Sequence, residues 1–189
     1  MRLLNVGSAG SRDAPTIYSG WEQDTLDIDP NVKPDIVCDA RQMRTLPSAK
    51  YDGVYCSHTL EHFFKHEVPA VLSGFLHVLK PSGFAQIAVP NMGALFAAVA
   101  DKDIDETWYV SMGGDQISFH DVIYGWGKQV AQGNQFYCHK TGFTEKSLTK
   151  ACAKSGFKTI LSAADAVGNL HAFAFKGKPS KGRLQRLGL

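Results

Sequence analysis

Five short apolar runs, each ending in a glycine loop or a polar turn, restrict the fold of this sequence more than any other feature. Residues 3–6 open into Gly7-Ser8-Ala9-Gly10-Ser11, residues 25–28 close in Asp29-Pro30-Asn31, and residues 35–38 end in Asp39-Ala40. Residues 51–57 and 84–89 follow, the last stopped by Pro90-Asn91. Short runs that are apolar throughout, rather than alternating, read as strands buried on both faces of a parallel sheet. Between the fourth and fifth runs, Val68, Val71, Leu72, Phe75, Leu76 and Leu79 fall at i, i+3, i+4, i+7, i+8 and i+11, the apolar stripe of a helix. Pro69 suits its first turn, and Pro81 with Gly83 ends it.

A second helix is expected from 144 to 156, with Thr144 as N-cap and Gly156 as C-terminal stop. Residues 157–164 and 170–175 then read as two strands joined around Gly168-Asn169, an antiparallel pair. Strands alternating with helical patterns imply an α/β fold with right-handed crossovers. Two links are too short for the usual crossover helix: 13 residues separate Gly10 from Asp24, and about six separate the second and third runs. One sheet face is therefore expected to be thinly covered, and residues 92–143 or a second copy of the chain could supply the cover.

A chain of 189 residues with 44% apolar and 20% charged residues fits one globular domain, assigned to 1–176, followed by a solvated basic tail at 177–189. A net charge of +2 gives no push toward nucleic acid or an anionic membrane. Four scattered cysteines predict no disulfide framework and favour a reducing cytoplasm. No apolar run approaches a membrane span, and the first residues reach a glycine too early for a signal peptide.

Four strand ends carry the chemistry. The small residues Gly7, Ser8, Ala9 and Gly10 let backbone amides approach a ligand at the carboxyl edge, although a Gly-x-x-Gly pattern also suits a tight turn. Asp27, 20 residues beyond Gly7, can accept both hydroxyl hydrogens of a ribose, whereas Asp29 suits a turn. Asp39 offers an acceptor for an exocyclic amine, and the Ala40 amide could reach a ring nitrogen, although alone the pair is only turn-compatible. The fourth run ends in Ser57-His58-Thr59-Leu60-Glu61-His62, which contains His-x-x-Glu-His. That string is also an inverted zinc-protease signature. It follows a buried strand instead of lying in a long helix, and no third ligand is evident, so no metal is expected. His62 reads as a packing or surface histidine and Glu61 as a solvent-facing or helix-start carboxylate. His58 sits where strand ends meet a ligand crevice.

Together these strings resemble the class I S-adenosylmethionine-dependent methyltransferases, most closely the small group similar to ubiquinone-biosynthesis C-methylases. Leu-Asn-Val-Gly-Ser-Ala-Gly-Ser, Leu-Asp-Ile-Asp-Pro, Asp-Ile-Val-Cys-Asp-Ala, Tyr-Asp-Gly-Val-Tyr-Cys-Ser-His-Thr-Leu-Glu-His-Phe and His-Val-Leu-Lys-Pro-Ser-Gly-Phe occur in the family's order. The resemblance covers most of 1–91 and 139–176. It implies a Rossmann-like three-layer sheet, mostly parallel with a C-terminal antiparallel pair, in which this chain's short links leave some helices shortened or missing.

It further implies S-adenosylmethionine as cofactor. Gly7, Ser8, Ala9 and Gly10 would line its methionine end, Asp27 its ribose, and Asp39 with Ala40 its adenine. Ser57 and His58 would lie near the sulfonium, with His58 the candidate general base and Glu61 behind it. The partner would be a small-molecule methyl acceptor. Departures are Asn5 for the usual acid before the loop, Ala9 where the second glycine is expected, and the missing helices. The aromatic segment 92–143 would form an acceptor pocket or lid, or else cover a sheet face or a dimer surface. A nicotinamide-dependent dehydrogenase and a non-catalytic binding protein are the rival readings. The former expects a third glycine and a second βαβ half that this chain lacks.

Overall fold

The computed structural model describes residues 1–111 and 113–189. In chain order, β1 (Arg2–Val6), β2 (Glu22–Asp27), β3 (Ile36–Val37) and β4 (Tyr51–Ser57) lead to α1 (Val68–Val78) and β5 (Leu79–Pro90). An inserted region follows: α2 (Met92–Val99), the hairpin β6 (Thr107–Val110) and β7 (Gln116–Ser118), α3 (Phe119–Tyr124) and α4 (Gly127–Ala131). The chain then returns through α5 (Glu145–Ser155), β8 (Thr159–Ala164), β9 (Asn169–Phe175) and α6 (Lys181–Arg186).

Seven strands form one sheet in the order β3-β2-β1-β4-β5-β9-β8. β1 to β5 pair in parallel along the sheet, and β9 runs antiparallel to both β5 and β8. Strand order reverses beside β1, so the loops after β1, β2 and β4 border the crevice at the topological switch point where ligands bind in such sheets. The expected mostly parallel sheet with a C-terminal antiparallel pair is what the chain forms. The third run is shorter than expected, since only Ile36 and Val37 pair.

The caps follow from sequence. Thr144 and Ser147 form a reciprocal capping box at the start of α5, and Gly156 closes it with φ +114°. Ser118 and Asp121 do the same for α3.

The main core lies where α1 and α5 bury Val71, Leu72, Phe75, Leu148 and Cys152 against Val54, Ile87 and Ala172 of the sheet. The opposite face differs from expectation. No α-helix links β1 to β2; a single 3-10 turn, Thr16–Tyr18, replaces it. This face is closed by Ile17, Tyr18 and Trp21 from that link, together with Leu184 and Leu187, packed on Leu3, Phe84 and Phe175. Tyr18 is anchored through its hydroxyl, which lies 2.7 Å from Gln86 Oε1. Most of 177–189 is exposed, but the segment is not wholly a solvated tail: Leu184 and Leu187 pack on the sheet, and Arg183 lies over the Phe84 ring. The sequence of α6, Lys-Gly-Arg-Leu-Gln-Arg, hides this because only Leu184 and Leu187 carry the apolar contact. Neither residues 92–143 nor a second copy is needed to cover that face. The inserted region instead builds a small core of its own from Leu95, Phe119 and Val122.

Candidate active site

Register places the functional strand ends side by side. Val6 pairs with Leu26 and with Cys56, and Asp27 pairs with Val37. Beyond the strands, the Gly7 amide donates to Leu26 O at 2.8 Å and the Cys38 amide to Asp27 O at 2.9 Å. A cavity of about 260 Å³ opens there, and Gly7, Ala9, Asp27, Asp39, Ala40 and His58 all line it. Six of the nine residues expected at the site thus meet in one crevice. Ser8, Gly10 and Ser57 stand off its walls.

The glycine loop is built for close approach. Gly7 has φ +68°, and a Cβ there would lie 2.3 Å from the Thr59 side chain. Gly10 has φ +77°, and a Cβ would meet Val32 O at 2.1 Å. Ala9 takes the left-handed region despite its methyl, with φ +48°. Its amide donates to Asp27 Oδ2 at 2.9 Å, which ties the loop to the end of β2. Asn5, just before the glycine loop, is buried and donates from Nδ2 to Ser11 O at 3.2 Å. It braces the loop from beneath.

Asp27 Oδ1 also accepts from the Asp29 amide at 3.0 Å. A carboxylate has about four lone-pair sites, so Asp27 keeps acceptor capacity toward the crevice. Asp39 is more heavily engaged. It accepts from the Arg41 amide at 2.9 Å and from the Arg41 guanidinium, which also pairs with Glu67. The Arg41 hydrogen bonds hold the Asp39 carboxyl below its usual pKa. Sequence reading had no means of finding this clamp, because Glu67 lies far along the chain.

His58 adopts φ +49° at the end of β4, which turns its side chain to the crevice. A second cavity of about 250 Å³ adjoins the first, and His58, His62 and Tyr137 line both. Tyr109, Ile117, Trp126 and His139 of the inserted region complete its wall. Described residues of the inserted region thus line a pocket beside the carboxyl edge of the sheet. Gly125 makes this possible: with φ +105°, a Cβ there would meet Tyr137 O at 1.9 Å.

Glu61 lies in the first turn of a short 3-10 helix, Leu60–His62, in keeping with a helix-start carboxylate, but it does not face solvent. It is only 1% exposed, and neither carboxylate oxygen has a hydrogen-bond partner among the described residues. His58 Nδ1 stands 3.3 Å from Oε1. Burial opposes ionisation of Glu61, but His58 and the neighbouring His62 and His139 outweigh it and hold the carboxyl below its ordinary pKa. Burial likewise works against a charged His58, and Glu61 overrides it to raise the imidazole's pKa. His139 behaves oppositely, lowered chiefly by burial. A ligand atom from each of Glu61, His62 and His139 lies within 4.8 Å of the other two. The third partner for the Glu-His pair thus exists, supplied by the distant segment that crosses at Gly125.

A family model described as a methyltransferase domain matches residues 21–87, which contain the ends of β2, β3 and β4. The same sheet recurs in solved structures. A SAM-dependent methyltransferase from Archaeoglobus fulgidus is 16% identical, with a TM-score of 0.61 over 93% of this chain and 86% of that one. This is a methyltransferase fold. Burkholderia thailandensis 1,6-didemethyltoxoflavin-N1-methyltransferase, solved with 1,6-didemethyltoxoflavin and S-adenosylhomocysteine bound, is also 16% identical. Its TM-score is 0.59 over 94% of this chain and 71% of that one. A SAM-dependent methyltransferase from Methanosarcina mazei is 12% identical, with a TM-score of 0.57 over 93% and 92%. No curated protein matches the sequence.

Proposed function

We propose that this chain transfers the methyl group of S-adenosylmethionine to a small-molecule acceptor. One observation carries the reading: Gly7, Asp27 and Asp39 line a single crevice that meets a second cavity at His58. The crevice suits the cofactor's parts. Gly7 leaves no room for a side chain, so the cofactor's backbone-like end can lie against bare amides. Asp27 retains lone pairs for a ribose diol, and the Ala40 amide with Asp39 faces the place for adenine.

When bound, S-adenosylmethionine supplies an already activated methyl donor. The protein then has to align the acceptor with the methyl and exclude water. His58 and Tyr137, on the boundary of the two cavities, hold the acceptor against the reacting end. An acceptor that loses a proton on methylation would give it to His58, which Glu61 orients from behind. Four free cysteines fit a reducing cytoplasm. Among the described residues no helix is long and apolar enough to cross a membrane.

The Arg41 clamp, which occupies Asp39, favours a second reading, a non-catalytic binding or assembly protein that keeps the fold but has lost efficient cofactor binding. Parallel calorimetric titrations with S-adenosylhomocysteine and NADH separate the readings. Binding of S-adenosylhomocysteine alone is expected. Binding of NADH alone would indicate an oxidoreductase, and binding of neither would leave the scaffold reading.

A further inference from the structure

We propose that Glu61, His62 and His139 form a binding site for a divalent transition-metal cation such as Zn²⁺, beside the second cavity, which His62 and His139 line. Glu61 and His139 lie outside the lining of the cofactor crevice, and only His62 is shared with it. His62 Nδ1 lies 3.0 Å from Cys138 O, and His139 Nδ1 lies 2.9 Å from Val122 O. If each Nδ1 carries the proton, each Nε2 presents a free lone pair, the arrangement in which protein carbonyls orient metal-ligating histidines. Glu61 provides the anion. A carboxylate that is 1% exposed, with both oxygens unpartnered among the described residues, is costly to bury unless something satisfies it. His58, at 3.3 Å from one oxygen, satisfies it only in part.

The backbone fixes the three residues relative to one another. Lys140 and Thr141 amides donate to Glu61 O at 2.8 and 3.1 Å, and the His139 amide donates to Tyr124 O at 2.9 Å. Ligand atoms within 4.8 Å of one another need only small side-chain adjustments to share an ion, whose bonds to nitrogen and oxygen run about 2.0–2.2 Å. Two imidazoles with one carboxylate match sites that hold zinc or iron and keep a coordination position open, and nitrogen donors disfavour magnesium or calcium. Because His62 and His139 line the second cavity, the open position faces it. An oxygen donor of the acceptor would occupy that position; this last step rests on the methyl-transfer reading, whereas the cation site does not.

Calorimetric titration with Zn²⁺, in the presence of a competing chelator, tests the site on the full chain. One equivalent should bind the wild type, and Glu61→Gln and His139→Ala should each weaken that equivalent by at least about tenfold. Thermal melts of both variants report folding, and His139→Ala decides the matter if Glu61→Gln unfolds. No stoichiometric binding by wild type, or affinity unchanged in His139→Ala, would overturn the proposal. S-adenosylhomocysteine titrated into the same samples reads the cofactor crevice separately. Zinc binding without nucleoside binding would preserve the metal site and remove methyl transfer.

Discussion

Gly7 shows how a single position couples fold to site. Its φ of +68° and the 2.3 Å approach to Thr59 both exclude a side chain. Gly7→Ala should therefore cost about 2–4 kcal/mol, the sum of a strained backbone and an overpacked contact. Chemical denaturation would measure this; a loss under about 0.5 kcal/mol would show that the loop relaxes freely. That Asp27 and Asp39 come together at one crevice could be anticipated, because each closes an apolar run of a parallel sheet. Glu61 was not legible. Its burial depends on the 138–141 segment folding back across it, and nothing local to His58-Thr59-Leu60-Glu61-His62 encodes that return. For the same reason the third residue of the Glu61, His62, His139 cluster could not be read from spacing.

At the level of elements, the sequence displays what local patterning can encode. The stripe that starts at Val68 became α1, which stops at Val78 so that Leu79 opens β5, and Thr144 with Gly156 bracketed α5 as expected. The hairpin of β6 and β7 and the docking of α6 were missed, since the hairpin is short and α6 contacts the sheet through two leucines within a basic segment. α6 substitutes for the cover that the helix-free link between β1 and β2 leaves thin. Removing residues 181–189 should expose Phe84 and Phe175, lower the melting temperature by several degrees, and raise binding of an apolar dye. An unchanged melting temperature would mean that Tyr18 and Trp21 suffice to seal that face.

Across the whole molecule, charges at the amino edge of the sheet oppose the ligand edge and tie three segments together. Asp24 of β2 accepts from Arg2 of β1 at 2.8 Å and from the Tyr51 hydroxyl of β4 at 2.7 Å, with Lys50 3.0 Å away. Burial alone would raise its pKa, but these partners pull it down to about 2. A folded pKa below the unfolded one stabilises the fold above about pH 4, and that contribution disappears as pH falls toward 2. The loss should be on the order of 2 kcal/mol, and Asp24→Asn should flatten that part of the stability curve. A curve of the same shape in the variant would place the acid sensitivity elsewhere.

At the opposite edge, the account requires one nucleoside to bridge the ends of β1, β2 and β3. The most direct measurement is the affinity for S-adenosylhomocysteine of the intact chain against Asp27→Ala. Loss of a charge-assisted ribose contact should weaken binding by roughly 1.5–3 kcal/mol, or more if the Ala9 loop loosens as well. Equal affinities in the two proteins would contradict the assignment of this crevice.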